Sequence, residues 1–221
     1  MSDAPLNESL RYRLRFSTSG PLAFISVLEL STVWERTLRR AQIPLRYSQG
    51  FNPRPKLQFA APLPTGCGGE AELLDCWLES PLEPAHFATQ LAGQLPPGLA
   101  VAEIRHVPEG DDALNEQLQA ARYVALLRTP DVAMVQARVA DFLAQKTHLR
   151  PRRGRRHRGK SYDLRALVQD LSVEPTAPWI SLHMQLQARP GATGRPDEVL
   201  EALQLRQELQ RCIRLALLGP H

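Results

Sequence analysis

Hydrophobic and polar positions along this chain follow two alternating periods. Residues 11–17, RYRLRFS, alternate one by one and predict a strand. After Gly20-Pro21 the period lengthens. Leu30, Val33, Trp34, Thr37, Leu38 and Ala41 recur at helical spacing and predict a helix from Ser26 to about Gln42. Ser26-Val27-Leu28-Glu29 has the S-x-x-E form of a capping box, with Ser26 at the N-cap and Glu29 reaching back. Short extended pieces are predicted over 45–48 and 56–60, and over 70–79 a strand, with a helix as the alternative the pattern leaves open. A helix follows over 84–95, with Pro84 in its permitted first turn, and then a strand over 98–107. The order is β-α-β-β-α-β, the ferredoxin-like arrangement.

The same order recurs. A strand is predicted over 123–128 and a helix over 131–145, with Val132, Val135, Val139 and Phe142 along one side. Strands follow over 162–173 and 179–188, then a short helix over 196–205. The closing segment, 208–217, fits a strand or a helix equally. The expected fold class is α+β, with tandem ferredoxin-like halves built on antiparallel sheets. The expected organisation is a disordered N-terminus over 1–10, a first half over 11–108, a linker over 109–120 and a second half over 121–221.

Composition narrows this reading. Hydrophobic residues make up 43% of the 221, enough for a core, and aromatics only 6%, so that core is mainly Leu, Ala and Val. No apolar run approaches the about 18 residues of a membrane span, and the first twelve residues carry acids and no apolar stretch. Neither membrane insertion nor a secretory signal is expected. Cys67, Cys76 and Cys212 are few and widely spaced, and read as reduced thiols of a cytoplasmic protein.

Charge is unevenly placed. The run RPRRGRRHRGK, residues 150–160, holds six Arg and one Lys with no acid. Removing those seven charges from the net +4 leaves −3 for the rest of the chain. A slightly acidic body with one cationic segment points to a local polyanion contact. The nucleic-acid-binding candidates are Arg150, Arg152, Arg153, Arg155, Arg156, Arg158 and Lys160, because the guanidinium fork suits phosphate. Tyr162, at the end of the run, is the one aromatic near it, so base stacking is thinly provided.

A second cationic group surrounds the turn Gly50-Phe51-Asn52-Pro53-Arg54-Pro55-Lys56. Its two prolines fix their own φ and push Asn52 and Arg54 into extended conformations. The turn follows a helix whose last turns carry Arg36, Arg39 and Arg40. Together with Ser48, Asn52, Arg54 and Lys56 these are candidates for binding an anion or a partner. Gly66, Gly68 and Gly69 read as a glycine-rich turn, with an anion nest as the sharper alternative. In an alternating strand Glu70 and Glu72 share a face and Asp75 takes the other, which disfavours a paired acid and base. A solvated face or an ion pair with Arg39 or Arg40 is the default for these acids. The histidines form no metal-ligand spacing, and no nucleophile elbow or phosphate-binding loop motif is present.

The stretches Phe24-Ile25-Ser26-Val27-Leu28-Glu29, Arg36-Thr37-Leu38-Arg39-Arg40-Ala41, Ser48-Gln49-Gly50-Phe51-Asn52-Pro53-Arg54-Pro55-Lys56 and Leu63-Pro64-Thr65-Gly66 resemble, in order, the signature of the radical SAM-linked protein family, DUF2344. Glu72, Asp75 and Ser161-Tyr162-Asp163-Leu164-Arg165 also match its pattern. The resemblance implies a protein encoded beside, or fused to, a radical SAM enzyme that often carries a cobalamin-binding region. Where the family has His and Asp at the helix start this chain has Val27 and Glu29, and where it has His between the prolines this chain has Arg54. Roles that need those histidines are not carried over. The closely spaced cysteine trio of a radical SAM cluster is also missing, so no catalytic residue, cofactor or metal is expected in this chain.

The expected function is a non-catalytic partner or substrate-presenting module for a radical SAM enzyme, binding RNA or another polyanion. The alternatives are an RNA-processing or RNA-modifying enzyme using Glu72, Asp75 or His148 as base, and a protein-binding scaffold.

Overall fold

The computed structural model describes residues 10–129, 131–152 and 159–219. The N-terminus expected to be disordered, apart from Leu10, lies outside these residues. The chain divides into two compact units, one reaching to Gln117 and one beginning at Leu118. Among the described residues both mix helices and antiparallel strands, so the class is α+β.

The first unit contains β1 (Arg11–Thr18), α1 (Val27–Arg40), β2 (Leu57–Phe59), β3 (Cys67–Trp77), α2 (Pro84–Ala92) and β4 (Leu99–His106). The strands lie in the order β4-β1-β3-β2, every neighbouring pair antiparallel. In the central pair Tyr12 stands opposite Cys76 and Leu14 opposite Leu74. Successive side chains of a strand point to opposite faces, so Tyr12, Leu14 and Phe16 share one face, and Arg11, Arg13 and Arg15 share the other. The apolar face packs with Trp34 and Leu38 of α1 and Phe87 and Leu91 of α2. Phe16 meets Trp34 edge-on at 5.0 Å between ring centres, and Tyr12 meets Phe87 at 5.9 Å.

The amphipathic stripe of α1 buries Leu30, Trp34, Thr37 and Leu38. Its start is the capping box read from the sequence. Ser26 Oγ accepts from the Glu29 amide at 3.3 Å, and Glu29 Oε2 accepts from the Ser26 amide at 2.7 Å. At the β1–β4 corner Gly98 has φ +85°, and a Cβ there would lie 2.5 Å from the Ser19 carbonyl oxygen. The same approach lets the Ser19 amide donate to the Gly98 carbonyl at 2.8 Å. Only glycine fits so close a backbone contact.

The expected strand over 45–48 is reduced to isolated bridges, Leu45 with Leu78 and Tyr47 with Pro55. The prolines at 44, 53 and 55 lack amide hydrogens and cannot sustain a ladder. β3 also starts earlier than expected, at Cys67, so Gly68 and Gly69 lie in a strand and not in a glycine-rich turn or nest. Thr18 stands opposite Gly69, and a Cβ on Gly68 would come 3.1 Å from the Thr18 carbonyl oxygen. Gly68 therefore serves close strand pairing, and Gly69 leaves room for the Glu72 side chain, which a Cβ there would meet at 2.5 Å.

The second unit contains β5 (Ala120–Leu127), α3 (Val132–Ala144), β6 (Leu149–Pro151), β7 (Ser161–Asp163), β8 (Val168–Thr176), β9 (Trp179–Arg189), β10 (Ala192–Thr193), α4 (Pro196–Ala202) and β11 (Leu209–Leu218). Its sheet runs β8-β9-β5-β11, all antiparallel, with β10 paired to the end of β9. β6 and β7 form a separate two-stranded ribbon. α3 starts at Asp131, whose Oδ1 accepts from the Met134 amide at 2.8 Å, and it buries Val135, Val139 and Phe142. The closing segment is a strand, which settles the ambiguity of its pattern.

The strand expected over 162–173 is broken. Asp163 Oδ1 accepts from the amides of His148 at 2.8 Å and Arg165 at 3.0 Å. This turns the chain into a short 3₁₀ segment, Arg165–Leu167, before β8 begins. A side-chain acceptor competing for backbone donors ends the ladder locally.

The capping box carries a testable consequence. Ser26→Ala should lower stability by about 1 kcal/mol in urea unfolding. The amide and then the hydroxyl of Ser26 hold the Glu29 carboxyl below its usual 4.5. A lowered folded-state pKa gives stability that is present above the unfolded value and lost as pH falls through the folded one. The advantage of wild type over Glu29→Ala should therefore be full at neutral pH and shrink below about pH 4.5. A pH-independent difference would contradict the carboxylate's role.

Candidate functional site

The signature turn of the first unit is braced from within. The Ser48 amide donates to the Arg54 carbonyl at 2.8 Å, and the Arg54 amide donates back to Ser48 Oγ at 3.1 Å. The Lys56 amide donates to the Arg46 carbonyl at 2.8 Å. Gly50 has φ +143°, a conformation that side chains other than glycine's resist. With its ends tied, the turn leaves Phe51, Asn52 and Arg54 exposed, Phe51 as fully as a side chain can be (107% of its reference area). Beside it lies an open cleft of about 470 Å³ lined by Arg46, Ser48, Gln49, Pro53 and Glu79.

The cationic residues expected around this turn take different partners. Ser48 and Arg54 are brought together by a backbone hydrogen bond and by Ser48 Oγ. Arg39 pairs with Glu35 at 3.0 Å, donates from Nε to Tyr47 Oη at 3.0 Å, and lies 5.5 Å from the Tyr47 ring centre. Arg40 reaches instead to the Gln94 carbonyl at 2.7 Å. Arg36 is exposed on α1. Lys56 places its ammonium 4.2 Å from the centre of the Trp77 ring.

Of the β3 carboxylates Glu72 and Asp75 are buried, and Asp75 does not pair with Arg39 or Arg40. β1 lies beside β3 with Arg13 opposite Asp75, which brings the arginine face of β1 onto the acid. Asp75 is fully buried. Its Oδ2 accepts from Arg11 Nε at 2.7 Å, and its two oxygens take a forked contact from Arg13 at 2.8 and 3.0 Å. The remaining donors of Arg11 go to the Asp111 and Asp112 carbonyls, both at 3.0 Å, and Arg13 reaches Gln117 Oε1 at 3.4 Å. Arg11 also stands 5.5 Å from the centre of the Trp77 ring. Glu72 is buried too, whereas Glu70 is exposed. The signal for this cluster was the spacing of Arg11, Arg13 and Arg15 on one face of a strand, which the sequence reading used only to find the strand.

Among the cysteines Cys76 is a free thiol buried in the core. Burial, and secondly the neighbouring Asp75 charge, pushes its pKa far above the ordinary thiol range, so it stays protonated and inert. Cys67 is buried in the first unit and Cys212 in the second. His148 spends its ring on Gln145 Oε1 at 2.9 Å and on a tilted contact with Phe142. Among the described residues no group of three or more His, Cys, Asp or Glu side chains is arranged to hold a metal ion.

In the second unit the basic segment starts and ends on the β6–β7 ribbon. Arg150 is paired with Glu201. The Arg152 amide donates to the Lys160 carbonyl at 2.8 Å, and the Arg152 guanidinium stands 5.7 Å from the centre of the Tyr162 ring. Lys160 is exposed. Arg153, Arg155, Arg156 and Arg158 lie outside the described residues. Among the described residues no helix is long and apolar enough to cross a membrane.

An α+β protein with a braced, exposed turn and a ribbon-borne basic segment is the class these observations define. The family described as "Uncharacterized protein conserved in bacteria (DUF2344)" matches over residues 11–196, and the chain belongs to it. No curated protein matches the chain. Among solved structures it is similar to a chain of "Crystal Structure of a Cbf5-Nop10-Gar1 Complex". That similarity has a TM-score of 0.48 at 12% identity, and it covers 92% of this chain and 48% of the other. The present chain thus spans about half the length of that one.

The Asp75 cluster predicts a large, specific energetic effect. Asp75→Ala leaves two buried guanidinium groups without their counter-charge and should cost about 3–5 kcal/mol in urea unfolding. Replacing Arg11, Arg13 and Asp75 together with apolar residues of similar volume should restore most of that loss. Glu70→Ala, on the exposed position, should stay within about 0.5 kcal/mol of wild type. A small effect of Asp75→Ala would show that the cluster is not buried as described.

Proposed function

We propose that this protein is a non-catalytic partner or substrate-presenting module for a radical SAM enzyme, and that its basic segment holds RNA. The radical SAM part comes from the family resemblance. The observation that carries the docking role is the signature turn, which the fold braces internally while Phe51, Asn52 and Arg54 face outward. A rigid exposed aromatic and an arginine on a pre-set backbone lose little entropy on binding and are the residue types that dominate interface energies. Asp75, the acid that a catalytic reading would use, has its oxygens occupied by Arg11 and Arg13, which disfavours the enzyme alternative. The polyanion role is supported by the net −3 body, which leaves residues 150–160 as the place where phosphate would be attracted.

Two measurements test this reading. Co-purification with the neighbouring radical SAM enzyme should fall at least about tenfold for the Phe51→Ala, Arg54→Ala double variant, while its unfolding midpoint stays unchanged. Retention of the enzyme by this variant would overturn the docking role. Binding to a single-stranded RNA pool should weaken steeply with salt. Changing Arg153, Arg155, Arg156 and Arg158 to Gln should reduce the slope of log K against log salt by up to about 3. Absence of RNA binding at low salt would overturn the polyanion role and leave a protein-binding scaffold.

A further inference from the structure

The second unit holds a cleft of about 550 Å³ beside the β6–β7 ribbon. This lies within the usual size for a small-molecule site, about 300–1,000 Å³. Its exposed rim carries Arg152, Thr193 and Arg195. Its more enclosed wall carries Tyr162, Leu167 and Glu198, the last only 5% exposed. Three features of this lining point to one kind of occupant.

The first is charge. Arg195 is engaged with Asp197 at 3.1 Å, whereas Arg152 has no acidic partner among the described residues. An anionic group would therefore sit at the rim, at Arg152. The wall also contains Asp163, whose Oδ1 is taken by the His148 and Arg165 amides, and the buried Glu198, and neither offers a cationic contact for a phosphate in the interior. The occupant is anionic at one end and neutral at the other.

The second is shape. Arg152 over the Tyr162 ring makes a guanidinium–phenol surface, with Leu167 as an apolar neighbour. Unstacked bases lie on such aromatic rings and guanidinium planes. The third is an unused donor. The Tyr162 hydroxyl is out of water and has no hydrogen-bond partner among the described residues. Buried hydroxyls are nearly always partnered, so this one departs from the rule beside the cleft.

We infer that this cleft takes one nucleotide of a bound RNA strand, with its phosphate at Arg152 and its base against Tyr162 and Leu167. The inference rests on the RNA reading of the basic segment and names the part of the ligand that is read. It also supplies the base stacking that the arginine run by itself lacks.

Calorimetric titration of the full chain tests it. The probes are AMP, CMP, GMP and UMP, with adenosine and inorganic phosphate as separate arms and a single-stranded oligoribonucleotide as a fourth. At least one monophosphate should bind more tightly than adenosine or phosphate. Tyr162→Ala should weaken both monophosphate and oligonucleotide about tenfold, and Tyr162→Phe, which keeps the ring, should weaken them less. Equal affinity for phosphate and monophosphate would overturn the subsite, as would no monophosphate binding to wild type. Should Tyr162→Ala unfold, Arg152→Gln and the wild-type arms decide. Oligonucleotide binding that survives Tyr162→Ala but not loss of the arginines would overturn the subsite and keep the RNA reading. Tyr162-dependent monophosphate binding without oligonucleotide binding would make a free nucleotide the occupant and overturn the RNA reading.

Discussion

Asp75 and the two arginines around it fix the first unit. Burying three charged groups is costly, and the cost is tolerable only where geometry and extra hydrogen bonds are good. Here one carboxylate meets two guanidinium groups, leaving a positive excess, and that excess is met by the carbonyls of Asp111 and Asp112 and the amide oxygen of Gln117. The cluster therefore ties the segment after β4 onto the polar face of the sheet. It also locks the register of β1 against β3. A slip of one residue would turn Arg13 toward Trp34 and Leu38 and carry Leu14 away from them. The apolar face alone specifies that register, and the ion cluster specifies it again from the other side.

The same strand holds the signature turn. Trp77, at the end of β3, lies near both Arg11 and Lys56. Its amide donates to the Lys56 carbonyl at 3.2 Å, and its carbonyl accepts from the Arg46 amide at 2.7 Å. The turn is thus anchored at both ends to the strand that carries Asp75. Position of the exposed Phe51 and Arg54 follows from a buried constraint, through Trp77, and not from the turn's prolines alone. This is why residues of the family signature fall into two kinds: Asp75, which is buried and structural, and Phe51, Asn52 and Arg54, which the fold leaves outside.

What could be read in the sequence was local. The capping box at Ser26 and Glu29, the helical stripe through Trp34, and the alternation of residues 11–17 each depend on neighbours within a turn or a strand. The α+β class and the antiparallel pairing follow from such patterns, while the second unit adds the β6–β7 ribbon and β10, which they did not predict. The partners of Asp75 are 62 and 64 residues away, and only the β1–β3 register brings them together. An alternating pattern says that Arg11 and Arg13 share a face without saying what covers it, and a central strand buried on both sides breaks the rule that charged means exposed. The split of the 162–173 segment was equally hidden. It depends on Asp163 accepting from His148, fifteen positions earlier, across the ribbon.

The basic segment and the signature turn obey different physics, which separates their roles. At physiological salt charge–charge interactions in water are largely screened beyond about 8 Å, so the seven cations within these eleven residues act at short range. Such a segment attracts any polyanion and distinguishes few of them. Discrimination needs contacts of fixed geometry. In the second unit those are offered where the ribbon sets Arg152 over Tyr162. In the first unit they are offered by the braced turn, which presents Phe51 and Arg54 at fixed positions. Diffuse charge for capture and fixed surfaces for choice are the arrangement that the presenting role proposed above calls for.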